Sequence, residues 1–420
     1  MKYYEIKGGL PLEGEYHVKG AKNAALPILA ATICKGGVHE IFGCPHIEDV
    51  VSMVEILRSL GAKVTWQEDC LVVDSRTLSE TSISEDLMAK LRSSVFLMGS
   101  LLARAGCATI RKPGGCRIGK RPMDLHMRGL RDLGFQVVED GEKITCTGRG
   151  RGGRIFLPYP SVGATENLMM AALSGNGITV IENCAKEPEI VDLQGFLCSC
   201  GYRVHGAGTS VITIVGGGWC HDAMYFIMED RIEAATYMMA LAGTGGNGIL
   251  EGVREEFLFP VKQVLLNMGV RIKSYEDRME IIGPKRGLLQ SPGKVITAPY
   301  PGFPTDCQPQ LLTLASVAEG ETMIREEIFD NRFTHEKDLK KMGANVETYG
   351  KNAIIKGVAS LKGTSVTAQD LRGGAALVLA GLMADGVTEI KDIYHIERGY
   401  EALEDGIGKL GGQIEKKEKR

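Results

Sequence analysis

The chain has 420 residues, and a prior of roughly 100–200 residues per domain predicts two or three domains. Hydrophobic residues make up 44% and charged residues 24%, the balance of a globular protein. The formal net charge of -3 gives the protein no overall positive potential that would attract nucleic acid or an anionic membrane. Any anion site must therefore be a local cluster of Lys and Arg. No apolar run reaches the ~18 residues of a membrane helix, and MKYYEIKGGLPLEG lacks the apolar core of a signal peptide. We therefore expect a cytoplasmic protein.

Short glycine-centred motifs recur about every 70 residues and indicate an internal repeat. Each motif has an apolar residue, Gly, two further residues and Val or Ile, and it follows a stretch typical of an amphipathic helix. Gly just after a helix can take the left-handed conformation without the penalty that a Cβ brings. In chain order, the glycines are Gly61, Gly134, Gly201, Gly269, Gly343 and Gly411.

A second pattern lies roughly 20–30 residues before each of these glycines. It is an Ala/Leu/Met-rich segment, apolar on nearly every side, which predicts a buried helix followed by Gly and a strand. Six such units of two helices and short strands make an α/β protein with two domains of three units each. The predicted domains are residues 22–230 and residues 1–21 plus 231–420. A strand precedes Lys22, and its residue pattern fits either half.

The segment GAKNAALP, residues 20–27, opens the first apolar helix. Lys22 and Asn23 lie at its predicted N-terminus, where free backbone N–H groups and the helix dipole favour an anion. The alternative is an ordinary surface lysine, since a cation at a helix start is unfavourable when nothing binds.

The segment RKPGGCRIGKR, residues 111–121, carries five cations, three glycines and no acid. Such a flexible, cationic strip is a poor structural element and a good lid over an anionic ligand. Cys116 lies at its centre, where positive charge raises the reactivity of a thiol. The alternative is a solvated loop with an incidental cysteine. The cations are Arg111, Lys112, Arg117, Lys120 and Arg121.

Two further helix starts carry polar residues. Ser161-Val162-Gly163 leads into an apolar helix and is either a phosphate-binding turn or a plain N-cap. In PGFPTD, Asp306 is a natural N-cap by residue type, and it could equally be a general base.

Several arginines lie near helix starts or the preceding turns, where their planar fork suits carboxylate and phosphate. Any one of them is more often a surface ion pair, but three occur at equivalent places in the repeats. The three are Arg332, Arg372 and Arg398, and Arg92 in KLRSS is similar.

The cysteines and histidines predict no metal centre. Eleven Cys scattered through a long chain are no disulfide framework, and most should be small buried hydrophobes. Cys198 and Cys200 have one residue between them, which is a poor spacing for zinc ligands. The eight His form no HExxH motif. No glycine-rich motif has the context of a Rossmann or P-loop site, so no nucleotide cofactor is expected.

Nine segments taken together resemble the UDP-N-acetylglucosamine 1-carboxyvinyltransferase family of enolpyruvyl transferases, and PGGC followed by RPMDLH is the most specific part. The resemblance covers essentially the whole chain. It implies a two-domain inside-out α/β barrel of six repeated units, with the active site in the interdomain cleft. The segments are GAKNAALPILAAT, LRSS, PGGCRIGKRPMDLH, PSVGATEN, EPEIVD, YPGFPTD, NRFTH, DLRGGAALVLAG and YHIERGYE.

The resemblance implies transfer of the enolpyruvyl group of phosphoenolpyruvate to the 3-hydroxyl of UDP-N-acetylglucosamine, with phosphate released through a tetrahedral intermediate. This is the first committed step of bacterial peptidoglycan synthesis, on which cell-wall biogenesis, cell shape and cell division depend. The expected partners are these two small molecules, with no cofactor, metal, nucleic acid or membrane insertion. The oligomeric state stays open.

The resemblance also implies the catalytic residues. Lys22, Arg121 and Arg398 would hold phosphoenolpyruvate, and Asp306 would be the base near the 3-hydroxyl. Cys116 corresponds to the lid cysteine, whose role as proton donor, covalent holder or release aid stays open. Fosfomycin, an epoxide mimic of phosphoenolpyruvate, is expected to alkylate Cys116.

The remaining positions would shape the site around the nucleotide sugar. Arg332 and Arg372 would form part of the cleft, and His126 would lie beside the lid. The implied nucleotide-sugar residues are Asn23, Arg92, Arg121, Pro122, Asp124, Leu125, Ser161, Val162, Gly163, Asp306 and Ile328.

Two other functions compete with this one. The sister transferase that uses shikimate 3-phosphate shares the fold, but it has no cysteine lid of this form. A catalytically idle paralogue that binds the UDP-sugar and regulates the pathway is the second alternative, although every candidate catalytic position holds a competent residue.

Overall fold

The computed structural model describes residues 2–68, 70–112, 123–218 and 220–418, without the side chains of Arg92 and Ser93. The helices are α1 (Lys22–Ala31), α2 (Glu48–Ser59), α3 (Glu85–Lys90), α4 (Phe96–Ala105), α5 (Asp124–Asp132), α6 (Val162–Ala172), α7 (Pro188–Ser199), α8 (Arg231–Thr244), α9 (Glu255–Asn267), α10 (Gln308–Ala315), α11 (Glu336–Lys341), α12 (Leu371–Met383), α13 (Tyr394–Glu397) and α14 (Leu403–Lys409). Short 3₁₀ helices cover Arg92–Val95 and Thr305–Cys307.

The strands are short, and most have five or six residues. They are β1 (Lys2–Lys7), β2 (Glu13–His17), β3 (Val38–Phe42), β4 (Lys63–Gln67), β5 (Cys70–Asp74), β6 (Cys107–Arg111), β7 (Gln136–Asp140), β8 (Lys143–Thr147), β9 (Gly153–Phe156), β10 (Gly177–Glu182), β11 (Arg203–His205), β12 (Val211–Gly216), β13 (Ala223–Phe226), β14 (Asn247–Glu251), β15 (Arg271–Ser274), β16 (Arg278–Ile282), β17 (Lys294–Ile296), β18 (Glu321–Arg325), β19 (Asn345–Tyr349), β20 (Asn352–Lys356), β21 (Ser365–Thr367), β22 (Val387–Lys391) and β23 (Gln413–Glu418).

The described residues divide into two compact units. The first unit comprises residues 20–112 and 123–228, and the second unit comprises residues 2–19 and 229–418. Each unit has its own hydrophobic core, built from its own helices and strands. Two cores are the arrangement expected for a chain that is too long to bury its apolar residues in one.

The six repeats predicted from the glycine spacing are present. Five of them run helix, strand, helix, strand, strand, as in α1, β3, α2, β4 and β5, and the three strands pair antiparallel. The sixth runs α12, β22, α13, α14 and β23 and takes its third strand from the start of the chain. A further strand adds in parallel to five of the six sheets, as β13 does to β3. The sheet orders are β13-β3-β5-β4, β6-β8-β7 and β11-β12-β10-β9 in the first unit, and β15-β16-β14-β2, β17-β18-β20-β19 and β21-β22-β1-β23 in the second.

The two N-terminal strands, whose residue pattern fits either half, both belong to the second unit. β1 lies between β22 and β23, antiparallel to each, and so supplies the third strand of the sixth repeat. β2 adds in parallel to β14 of the fourth repeat. The two ends of the chain therefore share one sheet.

The first helix of each repeat is buried as predicted. Every residue of α8 is buried, and α12 is buried from Arg372 to Met383. In the second unit, α8, α10 and α12 pack against one another, whereas β18 and its equivalents bury alternate residues. The first helices of the repeats thus lie inside each unit, and the sheets lie outside them. Within the described ranges, no helix combines the length and apolarity that crossing a membrane requires.

The six repeat glycines end their helices by the same geometry. All six have positive φ angles, between 76° and 99°. The residue after each Gly donates its backbone N–H to the carbonyl five residues earlier, at 2.9–3.1 Å, as Ala344 does to Leu339. This is the Schellman motif, in which a left-handed residue satisfies the last carbonyls of a helix. The prediction from sequence is confirmed.

We predict that Gly343→Ala lowers the free energy of unfolding by about 1–2 kcal/mol, the cost of a left-handed L-residue. A Cβ at Gly343 meets no atom within 4 Å, so the backbone angle alone sets this cost. Gly408→Ala is the matched control. It also has open space, but it lies inside α14 and should stabilise the fold by about 0.5–1 kcal/mol. Urea denaturation of both variants measures the difference, and equal effects would contradict the prediction.

Candidate active site

Lys22 is the first residue of α1, as the sequence predicts, but its ammonium group has an acidic partner within the protein. Lys22 Nζ lies 2.9 Å from Asp49 Oδ2, and their side chains are 12% and 4% exposed. Asp49 is near the start of α2. The helix start is therefore a partly neutralised cation site, in which an incoming anion would share Lys22 with a buried carboxylate. Asn23, the second residue of α1, is half-buried.

The starts of α5 and α6 lie side by side, and His126 joins them. Asp124, the first residue of α5, is exposed, and Leu125 is half-buried against the core. The ring of His126 lies beside Gly163 at the start of α6, because a Cβ on Gly163 would be 3.5 Å from Cε1 of that ring. His126 Nδ1 also lies 2.9 Å from Asn167 Nδ2. The structure thus brings together Asp124, Leu125, Ser161, Val162 and Gly163.

Ser161 is the N-cap of α6, and its side chain accepts a hydrogen bond from the backbone N–H of Ala164 at 3.3 Å. The N-cap interpretation of this segment is therefore confirmed. It leaves the remaining N–H groups of the first turn without helical carbonyl partners, which is where a helix binds anions.

Asp306 lies between two buried guanidinium groups. Its Oδ1 is 2.7 Å from Arg332 Nη2, and its Oδ2 is 3.1 Å from Arg372 Nη2. Asp306 is 27% exposed, whereas both arginine side chains are almost fully buried, at 2% and 3%. Although burial opposes the charged form, the negative charge of Asp306 raises the pKa of Arg372. In this cluster, the Asp306 carboxylate is partly accessible and is bound by two buried cations.

The N-cap interpretation of Asp306 is wrong. Asp306 lies within the 3₁₀ helix Thr305–Cys307, and the residue at the N-cap of α10 is Cys307, which makes no side-chain cap. The nearby Arg332 and Arg372 explain the difference, because an ion pair in a low-dielectric setting outweighs a capping hydrogen bond.

A buried glutamate that the sequence did not single out holds the loop beside Asp306. Glu326 is fully buried and accepts backbone N–H bonds from Ile328 at 2.8 Å and Phe329 at 3.0 Å. Thr305, next to Asp306, donates its hydroxyl to both Glu326 oxygens, at 3.1 and 3.0 Å. Glu326 therefore fixes the half-buried Ile328 relative to Asp306. The one sequence signal for Glu326 is its place in the segment IREEIF, directly after a strand in which alternate residues are buried.

Arg398 lies in the turn after α13 and is half-buried. Two residues later, the ring of Tyr400 lies under the guanidinium of Arg372, with 5.5 Å between the guanidinium carbon and the ring centroid. The Tyr400 hydroxyl is 2.9 Å from Thr236 Oγ1 and accepts a hydrogen bond from Gln310 at 3.2 Å. Buried polar contacts thus connect the Arg398 turn to the Asp306 cluster.

Part of the predicted lid is described, and its cations are already paired. Arg111, the last residue of β6, forms ion pairs with Glu85 and Glu142. Lys112 Nζ lies 2.9 Å from Glu139. These two residues therefore end a strand and do not hold a free anion site. Cys116, Arg117, Lys120, Arg121 and Pro122, together with the side chain of Arg92, lie outside the described residues.

Ten cysteines lie in the described ranges, and all ten are free thiols. Six of them are buried, which confirms that most serve as small apolar side chains. The six are Cys34, Cys70, Cys146, Cys184, Cys200 and Cys307.

Comparison with known proteins identifies relatives along the whole chain. The protein-family model described as EPSP synthase (3-phosphoshikimate 1-carboxyvinyltransferase) matches residues 6–407. The chain is 48% identical over 415 residues to UDP-N-acetylglucosamine 1-carboxyvinyltransferase 2 of Caldanaerobacter subterraneus subsp. tengcongensis, with 99% of both chains covered. It is 44% identical over 419 residues to UDP-N-acetylglucosamine 1-carboxyvinyltransferase of Finegoldia magna, again covering 99% of both.

Solved structures confirm the predicted fold class. The enolpyruvyl transferase NikO from Streptomyces tendae matches with a TM-score of 0.88 at 24% identity, over 99% of this chain and 98% of that one. EPSP synthase from Acinetobacter baumannii matches with a TM-score of 0.76 at 21% identity, over 100% of both. At these identities, the likeness concerns the fold alone.

We predict that Asp306→Ala lowers the free energy of unfolding by about 3–5 kcal/mol, because it leaves two buried guanidinium groups without their carboxylate. Asp140→Ala, at the exposed end of β7, is the control and should change it by less than about 0.5 kcal/mol. Chemical denaturation measures both, and a loss at Asp306 as small as that at Asp140 would contradict the assigned ion pairs.

We also predict that His126 makes stability depend on pH. Burial lowers the pKa of His126 to about 4, although Asp124 opposes the shift. In the unfolded chain that pKa is about 6.5, so the native state binds fewer protons and its stabilisation is lost as the pH falls from 6.5 towards 4. When the pH is lowered from about 7 to about 5, the free energy of unfolding should fall by about 2 kcal/mol less in His126→Gln than in the unmodified chain. His205→Gln, at an exposed position of β11, is the control, and the same pH dependence in both variants would refute the prediction.

Proposed function

The chain belongs to the UDP-N-acetylglucosamine 1-carboxyvinyltransferase family of enolpyruvyl transferases, and from that membership we propose its reaction. The protein transfers the enolpyruvyl group of phosphoenolpyruvate to the 3-hydroxyl of UDP-N-acetylglucosamine and releases phosphate. This reaction begins bacterial peptidoglycan synthesis. The observation that carries the proposal is identity of 44–48% to enzymes of that name across 99% of the chain.

The site chemistry supports a reaction between two polyanions. Phosphoenolpyruvate carries a carboxylate and a phosphate, and the UDP-sugar carries a diphosphate. In the proposal, Lys22, Arg121 and Arg398 hold phosphoenolpyruvate. Asp49 forms an ion pair with Lys22, and in the proposal an arriving anion competes for the same ammonium group. Cations that are already paired limit the repulsion that would otherwise destabilise the empty protein.

The starts of three helices are proposed to bind the nucleotide sugar. Asn23 lies at the start of α1, Asp124 and Leu125 at the start of α5, and Ser161 to Gly163 at the start of α6. Each start offers N–H donors and the positive end of a helix dipole to a phosphate. Ile328 is proposed to contribute an apolar surface. Arg92, Arg121 and Pro122 complete the proposed set.

Asp306 is proposed to accept the proton of the sugar 3-hydroxyl. As that oxygen bonds to carbon 2 of phosphoenolpyruvate, carbon 3 gains a proton, which gives a tetrahedral intermediate. The intermediate then loses a proton from carbon 3 and expels phosphate, so the enolpyruvyl double bond forms again. Cys116 is the candidate donor to carbon 3, and it also is the thiol that we expect fosfomycin to alkylate. Arg332 and Arg372 orient the Asp306 carboxylate, since each binds a different oxygen of it.

Shikimate 3-phosphate is the competing acceptor, because the matching family model takes its description from the enzyme that uses it. The solved EPSP synthase is only 21% identical to this chain, less than half the identity of the UDP-sugar enzymes. The residue-level likeness therefore favours the UDP-sugar. An idle regulatory paralogue is the remaining alternative.

One assay separates these functions. Phosphate release from phosphoenolpyruvate is measured with UDP-N-acetylglucosamine, with shikimate 3-phosphate, or with no acceptor. We expect release with the UDP-sugar only. Release with shikimate 3-phosphate only would establish the sister activity. Binding of the UDP-sugar without release in any arm would establish the idle paralogue.

The same assay tests Asp306 as the base. Asp306→Asn should lower the turnover number by about 10²–10⁴-fold, the contribution typical of a general base, and should leave UDP-sugar binding by calorimetry largely unchanged. Asp140→Asn, at the exposed end of β7, is the control and should keep full turnover. Full turnover in Asp306→Asn would remove Asp306 from the mechanism.

A further inference from the structure

Three potential metal ligands meet in the first unit, at a place that the proposed reaction does not use. They are His39 in β3, Cys200 at the end of α7, and Cys220 in the loop between β12 and β13. One ligand atom from each residue lies within 4.8 Å of the other two. His39 and Cys200 are buried and Cys220 is half-buried, so the cluster adjoins solvent on one side only.

The spacing of these atoms is close to that of a zinc site. Zinc–sulfur bonds of about 2.3 Å and zinc–nitrogen bonds of about 2.0–2.1 Å place tetrahedral ligand atoms about 3.5–3.8 Å apart. Cys200 Sγ lies 3.8 Å from His39 Nδ1, which already fits. The other two pairs of ligand atoms lie within 4.8 Å and need to shorten by at most about 1 Å, which a rotation of the half-buried Cys220 side chain can supply.

Backbone contacts hold the three elements in this arrangement. The N–H of His221, next to Cys220, donates to the carbonyl of Cys200 at 3.1 Å. The N–H of Val38, next to His39, donates to Asp222 Oδ1 at 2.8 Å. Each proposed ligand is thus one residue from a hydrogen bond that ties its element to a neighbour. Such a scaffold fixes the donor atoms before any ion arrives, which lowers the cost of binding.

The second ring nitrogen of His39 and a carboxylate oxygen of Asp222 both lie beside Gly37. A Cβ added to Gly37 would lie 3.1 Å from His39 Nε2 and 3.2 Å from Asp222 Oδ1, so both atoms border the same small space. Metal-bound histidines usually present their other ring nitrogen to a carboxylate or carbonyl, which fixes the ring orientation. Gly37 is the residue that leaves room for this pair.

We propose that His39, Cys200 and Cys220 bind one thiophilic divalent cation, Zn²⁺, with a water molecule at the fourth position. Two thiolates and an imidazole are the donor set that selects zinc among the common divalent ions. The ion would connect the loop before β13 to the end of α7 and to β3. The inference concerns the first unit alone and does not rest on the proposed reaction.

No sequence motif indicates this site, because its ligands are 20 to 181 residues apart in the chain. The spacing rule for zinc motifs drew attention to Cys198 and Cys200, and Cys198 points elsewhere. Cys198 is exposed, and its thiol donates to the carbonyl of Val204 at 3.4 Å. It therefore provides a matched control thiol in the same helix as Cys200.

The test uses cobalt as a spectroscopic substitute for zinc in the full-length, reduced protein. Titration with Co²⁺ should give thiolate-to-cobalt charge-transfer bands and the strong visible bands of tetrahedral cobalt, saturating at about one equivalent. Addition of Zn²⁺ should remove these bands. Cys198→Ser should titrate like the unmodified chain, whereas Cys220→Ser should lose the charge-transfer bands or weaken cobalt binding at least tenfold.

Thermal unfolding gives a second readout, because an ion that binds only the native state raises the melting temperature. Zinc should raise that temperature by several degrees in the unmodified chain and in Cys198→Ser, and by much less in Cys220→Ser. Equal titrations in Cys198→Ser and Cys220→Ser would overturn the site. So would an unmodified chain that takes up no cobalt, including one whose Cys200 and Cys220 form a disulfide instead.

Discussion

A helix that is apolar on every side must be covered by protein on every side, and this constraint organises the whole chain. One helix cannot bury itself, so three from successive repeats pack together and the sheets of the same repeats close around them. The outer helices need only one apolar face. In α9, for example, Leu258, Val261 and Leu265 are buried at helical spacing. The repeat is therefore the smallest piece that supplies both a central helix and its cover.

Three of the candidate site residues are cations that are paired with acids of the protein itself. Lys22, Arg332 and Arg372 are all largely buried, and each has a carboxylate partner at 2.7–3.1 Å. Unpaired buried charges would be strongly destabilising. Asp49 therefore stabilises the buried ammonium group of Lys22, and Asp306 stabilises the buried guanidinium groups of Arg332 and Arg372.

The same fold holds polar groups that have no evident part in the proposed chemistry. Glu326 is buried to fix one loop beside Asp306, and His39, Cys200 and Cys220 meet below another loop. Both arrangements lie where a sheet or helix ends and irregular backbone begins. Loops lack the repeated hydrogen bonds of regular elements, so side chains or bound ions must hold them.

Features that depend on residues close together in the chain could be predicted from the sequence alone. The six glycines, the buried helices and the positions of Lys22 and Ser161 at helix starts follow from patterns a few residues long, and the family follows from motifs along the chain. The ion-pair partners of these residues became clear only from the folded structure. Asp49 pairs with Lys22, and two arginines pair with Asp306, which therefore does not cap a helix. Glutamates pair with Arg111 and Lys112, which were expected to bind a ligand. The folded structure also decided that β1 completes the last repeat. The reason is physical: helix ends and amphipathic faces are set by residues within one or two turns, whereas ion pairs and sheet edges join residues that are far apart in the chain.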